Sequence, residues 1–278
     1  MTLATLAAVL RPALAGGYAV PGLVCLGWED MRAYAMAAQA ERAPVILQAG
    51  PSCRAHTPLA VLGAMMRALA ASVDAPVVAH LDHGYTVQEC REALNAGFTS
   101  VMYDGSRKPL AQNIDETAAV AALAHAAGAG CEGEIGFVGY AGGAASDGTD
   151  PQEAAIFARD SCVDAMAVSV GNVHLQTSHG AGLDMARLRA IEAVTALPLV
   201  IHGGSGVPPE QRAALAATPV CKINIGTELR MAFGAALRRA LADDREVFDR
   251  VAILSRTHDP VFDAARAVIR GLGASGRA

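Results

Sequence analysis

The sequence predicts an α/β chain folded as a (β/α)8 TIM barrel, and three observations carry that expectation. Eight short β-rich segments recur along the 278 residues, and each is followed by an Ala-rich amphipathic segment of helical period. The first β-rich segment leads into Leu26-Gly27-Trp28-Glu29-Asp30, without the GxGxxG turn of a doubly wound dinucleotide-binding sheet. No internal repeat or low-complexity linker interrupts the series, so residues 1–278 read as one domain.

In chain order, Met1–Leu14 reads as an extra N-terminal helix, and strand Tyr18–Cys25 is followed by helix Glu29–Arg42. Strand Pro44–Gly50 precedes helix Pro58–Ser72, strand Pro76–His83 precedes Val87–Asn95, and strand Thr99–Asp104 precedes Leu110–Ala127. The second half repeats the unit as Gly130–Gly136 with Pro151–Arg159, Ala165–Gly171 with Asp184–Thr195, Pro198–Gly203 with Pro208–Ala217, and Val220–Gly226 with Glu228–Asp243. Two helix starts are marked explicitly, by Asp150-Pro151-Gln152-Glu153 and by Pro208-Pro209-Glu210. Proline suits the first turn there, and an acid suits the positive helix end. The segment after Asp259 reads as a C-terminal helical extension, and its apolar run AARAVIRGLG would expose an apolar stripe unless it packs on its own barrel.

Composition narrows the function classes. The chain is 53% hydrophobic and carries a net charge of −5, with no basic run longer than Arg238-Arg239, so it has no electrostatic footprint for nucleic acid. No apolar stretch reaches the ~20 residues of a membrane span, and Arg11 interrupts the apolar N-terminus, which also lacks the basic start of a signal peptide. A cytoplasmic location is expected. The six cysteines form no CxxC pair and read as free, mostly buried thiols. Only Lys108 and Lys222 are lysines, which matters because Schiff-base chemistry needs one.

A barrel of this kind builds its active site at the C-terminal ends of its strands. Those ends carry Asp82-His83, Asp104, Glu132 and Glu134, Gly171-Asn172-Val173-His174, His202-Gly203-Gly204-Ser205-Gly206, and Asn224 with Thr227 just beyond. A lone histidine is ordinarily a packing or surface residue. His83, His174 and His202 at three strand ends, beside carboxylates, instead suit a three-nitrogen Zn²⁺ site with an open position. His80 lies three residues before His83 and should face the other way, as a packing or supporting residue, while His179 stands on a mouth loop as an additional candidate. Asp82 adjoins a metal ligand and can exchange a proton with a metal-bound oxygen. Asp104 and Glu134 can hold ring nitrogens of the histidines or serve as alternative ligands. The glycines of HGGSG, with Asn224-Ile225-Gly226-Thr227 after the eighth strand, lie where barrels often bind phosphate.

These residues match a known pattern. AVPG near residue 20, HLDHG at 80–84, VMYDGS at 101–106, EGEIG at 132–136, VGNVH at 170–174, LVIHGGSG at 199–206 and CKINIGTEL at 221–229 resemble, in order and spacing, the class II ketose-bisphosphate aldolases. The resemblance implies a zinc-dependent, reversible aldol cleavage of a small-molecule carbohydrate into a dihydroxyacetone-phosphate-like donor and an aldehyde. It implies that His83, His174 and His202 hold Zn²⁺, with Glu134 an occasional further ligand. Asp82 would exchange a proton with the aldehyde oxygen, Asn224 would contact the donor's carbonyl, and Gly203, Ser205, Gly226 and Thr227 would cradle its phosphate. It also implies a monovalent cation near that phosphate and a homodimer or homotetramer.

The departures from the family pattern concentrate around the substrate. Leu175 stands where the family has Gly, Ser178 where it often has Lys, Val24 where PAFN supplies Asn, and Gly50 where Ser is common. The loop after Glu134 lacks the acidic GGxED-like run, and its one carboxylate, Asp147, is the candidate replacement for the missing acid. The family's DPR becomes Asp259-Pro260-Val261, which removes the arginine fork that holds the distal phosphate and leaves Arg54 or Arg266 to compensate. The expected substrate is therefore a ketose phosphate other than fructose 1,6-bisphosphate. Two other readings stand beside this one: a Schiff-base aldolase using Lys222, and a catalytically silent barrel that binds metal or sugar phosphate as a regulatory or assembly subunit.

Overall fold

The computed structural model describes residues 3–178, 180, 182–215 and 218–278, so His179 lies outside the described residues. Its elements run α1 (Leu6–Gly16), β1 (Val20–Cys25), α2 (Trp28–Glu41), β2 (Val45–Ala49), α3 (Pro51–His56), α4 (Leu59–Ala71), β3 (Val77–Gly84), α5 (Val87–Asn95), β4 (Ser100–Tyr103), α6 (Leu110–Ala126) and β5 (Gly130–Ile135). They continue with α7 (Pro151–Asp160), β6 (Ala165–Val168), α8 (Met185–Glu192), β7 (Leu199–Ile201), α9 (Pro209–Leu215), β8 (Val220–Ile225), α10 (Thr227–Asp243), α11 (Arg250–Ser255) and α12 (His258–Gly271). The eight strands close a parallel barrel in sequence order, with β8 pairing back onto β1. All eight predicted strands are present.

The strands are short and buried on both faces, as expected where side chains fill the interior and helices cover the outside. Helix starts follow the sequence signals: the Asp150 carboxylate accepts from the backbone N–H of Gln152 and Glu153 ahead of α7. At the N-terminal end of the barrel, α1 packs against β1, β5 and β8, and its Leu6 is fully buried against Gly130. That end is closed, and the opposite end carries the loops.

Two short helices, α3 and α11, were not expected from periodicity. Each is six residues long, too short to show a helical repeat. The C-terminal extension settles the question of its apolar stripe: Val261, Ala265, Val268 and Ile269 are buried, and α12 packs chiefly on α2 of its own chain. The Glu41 carboxylate at the end of α2 ties this helix down by accepting from Arg266, Arg270 and Ser275. No helix among the described residues is long and apolar enough to cross a membrane.

Candidate active site

Strand β3 delivers two neighbouring functional side chains to one place, which simple strand alternation forbids. The chain resolves this with a left-handed backbone at His83 (φ 54°) and a register shift between Leu81 and Gly84 against β4. Asp82 and His83 thus both reach the mouth, while His80, two residues before Asp82, points into the barrel interior.

His83, His174 and His202 converge there, with one ligand atom of each lying within 4.8 Å of the others. Their hydrogen bonds fix which ring nitrogen faces the centre. His83 Nδ1 meets Asp104 Oδ2 at 2.8 Å, and His202 Nε2 meets Glu132 Oε1 at 3.0 Å. Each carboxylate holds its ring N–H, which leaves His83 Nε2 and His202 Nδ1 facing each other at 3.1 Å. His174 Nε2, Glu134 Oε2, Asp82 Oδ1 and Asn224 Oδ1 are buried without a hydrogen-bond partner. Buried polar atoms are ordinarily satisfied, so this convergent set is what a bound cation and substrate would complete. The donor set therefore fits a divalent metal: three imidazoles, with the Glu134 carboxylate 3.8 to 3.9 Å from His202 and His83.

The electrostatics agree. Burial works against charge on His83, but Asp82, the Asp104 hydrogen bond and Glu134 outweigh it and push its pKa up to about 10. Burial and the neighbouring His83 charge hold His174 down to about 4, and the same two causes keep His202 well below the ordinary histidine range. Burial also opposes charge on Asp82, yet His83, His202 and Lys222 keep its carboxyl below the usual range and ionised. Glu134 goes the other way, raised by burial and by the nearby Asp104.

Beneath the histidines lies a buried polar ladder. The fully buried Lys222 donates to Glu132 at 2.6 Å, and His80 sits between Lys222 (3.4 Å) and Ser100 (2.7 Å). Lys222 is paired in the interior and does not line the mouth cavity, which removes the Schiff-base reading. Lys108 is bound to Tyr103 and Glu116 and is also outside that lining.

The mouth cavity measures about 320 Å³ and includes Asp82, His83, His174, Gly203, Ser205, Asn224, Gly226 and Thr227 in its lining. Gly203 (φ 64°) approaches the Val173 carbonyl so closely that a Cβ would collide with it. The Ser205 hydroxyl accepts from the backbone N–H of Gly226 and Glu228 at 3.2 and 3.3 Å, which joins the two loops of the cradle. Of the departures from the family pattern, Val24, Gly50 and Leu175 line this cavity, and Leu175 keeps a glycine-like backbone (φ 59°). Ser178 instead lines a neighbouring hollow with Gln176 and Ser205.

Three expectations fail on geometry. Asp147 is exposed and pairs through its backbone with Phe137, so the loop turns it away from the mouth. Arg54 is held by Glu89 and by the Asp82 and His83 carbonyls, and Arg266 is spent on Glu41, so neither is free for a distal phosphate. Val261 is 2% exposed and packs in the hydrophobic core.

Three mouth residues carried no sequence signal. Arg230, one turn after Thr227, lines the cavity with its Nε unpartnered. Tyr140 comes from the loop after β5 and stacks on His174 (4.9 Å between centroids, 26°), and Tyr85 stacks on His83 (6.5 Å, 29°). Only the helical spacing of Arg230 from Thr227 could have pointed to one of them.

Comparison with known proteins agrees with this geometry. Residues 4–277 match the family model described as fructose-bisphosphate aldolase class-II. The chain is 33% identical to a fructose-bisphosphate aldolase of Geobacillus stearothermophilus, covering 100% of this chain and 99% of that one. It is 34% identical to a 6-phospho-5-dehydro-2-deoxy-D-gluconate aldolase of Shouchella clausii, covering 98% and 95%. Among solved structures, the YdjI aldolase of Escherichia coli K12 superposes with a TM-score of 0.87 at 26% identity, over 99% of both chains. A closed barrel with three histidines at its mouth, matched over its whole length to aldolases, belongs to the class II fructose-bisphosphate aldolase family of lyases.

Proposed function

We propose that this chain is a zinc-dependent aldolase that reversibly cleaves a ketose phosphate to a dihydroxyacetone-phosphate-like donor and an aldehyde, and that its substrate is not fructose 1,6-bisphosphate. The observation that carries the reading is the convergence of His83, His174 and His202, one ring nitrogen of each within 4.8 Å of the others, with Asp82 in the same cavity lining. These histidines would hold the ion, with Glu134 as a further ligand. The chemistry such an ion supplies when bound is Lewis-acid polarisation of the ketone and stabilisation of the charge that develops on the donor half.

The chain's own groups do the rest. Ionised Asp82 takes the proton from the hydroxyl next to the breaking C–C bond, the bonding pair passes to the donor carbon, and that carbon takes up a proton from solvent through the open mouth; condensation runs both transfers in reverse. Asn224, whose Oδ1 is unpartnered, orients the donor's oxygen atoms. The backbone at Gly203 and Gly226, with Ser205 and Thr227, takes the phosphate, and a monovalent cation beside it completes the charge balance. Asp104 holds His83 in the productive tautomer. An ionised base aimed into an open cavity favours a working enzyme over a silent binding barrel.

The substrate assignment rests on charge. Arg54 and Arg266 are engaged elsewhere, Val261 replaces the fork, and Arg230 is the guanidinium in the mouth lining, enough for one anionic group. The named relatives act on a bisphosphate in one case and on a single phosphate plus a sugar acid in the other, and the present mouth suits a substrate with one phosphate. Assembly as a homodimer or homotetramer in the cytoplasm belongs to the same reading. The exposed apolar side chains of Trp28, Phe248 and Val251 and the six free cysteines support it.

The test is a cleavage assay of zinc-loaded enzyme on fructose 1,6-bisphosphate, tagatose 1,6-bisphosphate, 6-phospho-5-dehydro-2-deoxy-D-gluconate and ketose 1-phosphates, with and without chelator. Chelator-sensitive cleavage confined to the singly phosphorylated substrates is expected. Efficient cleavage of either bisphosphate would overturn the substrate assignment, and chelator-insensitive activity would overturn the metal.

A further inference from the structure

The turn at the end of β3 is held by contacts that the chemistry of the site has not yet used. Paired register with β2 ends at Leu81, and the pairing with β4 passes from Leu81 to Gly84 on one strand while it passes only from Val101 to Tyr103 on the other. β3 therefore carries one extra residue there, a bulge of the kind that re-aims side chains at barrel rims. Within it His83 takes a left-handed backbone (φ 54°), which a residue with a Cβ keeps only where its surroundings dictate it. Glycine would make that turn freely, but glycine carries no imidazole.

Arg54 grips this bulge. It lies in the last turn of α3, and its side chain is 7% exposed. Its Nη1 donates to the Asp82 carbonyl at 2.8 Å, its Nη2 to the His83 carbonyl, and its Nε to Glu89 Oε1. Glu89, in the first turn of α5, accepts the Tyr85 backbone N–H on its other carboxylate oxygen at 2.9 Å. One ion pair thus binds backbone groups of residues 82, 83 and 85, on both sides of the left-handed residue. A guanidinium is costly to bury unless each nitrogen finds an acceptor, and all three do so here on the bulge or on the carboxylate that also holds it. Arg54 does not line the mouth cavity.

We propose that Arg54, backed by Glu89, is a positioning residue that fixes the left-handed turn at His83 and so aims its imidazole into the metal site. This rests on the metal reading above and goes beyond it by naming what sets the aim of one ligand. Two holds act on His83 at different points: Asp104 fixes the ring at Nδ1, and Arg54 fixes the backbone from which the ring projects. The shape of the group matters as well as its charge. A guanidinium offers its donors in a rigid planar fork that reaches three acceptors at once, whereas a lysine ammonium is a point charge on a flexible stem.

The experiment is equilibrium zinc titration of the metal-stripped full-length chain, as wild type, Arg54→Lys, Arg54→Met and Glu89→Gln, at a temperature below all their melts, with Tm recorded alongside. Arg54→Lys is expected to weaken zinc binding about tenfold or more, and Arg54→Met at least as much. Glu89→Gln leaves the fork on both carbonyls and is expected to weaken it about threefold. An arginine that served only the fold would lower Tm and leave the zinc affinity of the folded chain unchanged, and one that served only by its charge would be replaced by lysine without loss. Either result overturns the clamp and leaves the metal reading standing. Should Arg54→Met fail to fold, Arg54→Lys and Glu89→Gln still decide the question. A wild type that binds no zinc overturns the metal reading and the clamp with it.

Discussion

The floor and the mouth of the barrel are both polar, and they treat polarity in opposite ways. On the floor, Lys222, Glu132, His80 and Ser100 are fully buried and bonded to one another, and the ladder ends on His202. At the mouth, Asp82, Glu134, His174 and Asn224 each keep a buried atom without a partner, and so does Gln48 just below them on β2. A satisfied buried network specifies one arrangement, whereas unsatisfied atoms that converge on a cavity mark where a ligand supplies the missing partner. The floor is scaffold that orients His202, and the mouth is machinery. Mutations in the two regions should fail differently, the floor through stability and the mouth through rate.

The largest expected effect is at the mouth. Asp82→Ala should lower kcat by about 10³-fold, with the fold and zinc content retained, because it removes a proton-transfer group and leaves the histidines in place. Steady-state cleavage kinetics beside metal analysis check it; loss of fold instead would erase the contrast. On the floor, Lys222→Met leaves Glu132 buried without its lysine, beside His202 and His80, and should cost about 3–5 kcal/mol of stability, whereas Lys222→Met with Glu132→Gln should recover much of that. Thermal unfolding of the two variants measures the difference.

Smaller effects sharpen the boundary. Arg230→Gln should raise KM for the phosphorylated substrate about 10- to 30-fold with little change in Tm, since its Nε has no protein partner to lose. Far from both regions, Glu41→Gln should cost about 1–2 kcal/mol at pH 7. The Arg270 hydrogen bond, opposed by burial and joined by Arg266 and Ser275, holds the Glu41 pKa down to about 2, against 4.5 for an ordinary glutamate. A lowered folded-state pKa contributes stability above the unfolded value and loses it as pH falls. The gap between wild type and Glu41→Gln should therefore persist down to about pH 4.5 and close by about pH 2, as melts across that range would record.

What the sequence revealed follows the same division. Strands and helices were legible because alternation and helical period are local, and the three histidines were legible because strand ends in a barrel point to one place. The approach of Asp82 and His83 to one centre needs the left-handed turn at His83, which no residue pattern announces. Asp147 looked suitable by chemistry, yet its position is decided by the backbone pairing with Phe137. Arg54 and Arg266 looked like free cations because their partners, such as Glu89 and Glu41, are 35 and 225 residues away in sequence. Tyr85 and Tyr140 sit in loops, where no period marks which face meets the cavity.

The central claim is that His83, His174 and His202 form one catalytic metal site. Equilibrium zinc titration of the metal-stripped chain, compared with His174→Ala and His202→Ala, tests it most directly. One tightly bound ion per chain, weakened at least about 100-fold in each variant, is the predicted result. Absence of zinc binding in the wild type, or undiminished binding in the variants, would contradict it.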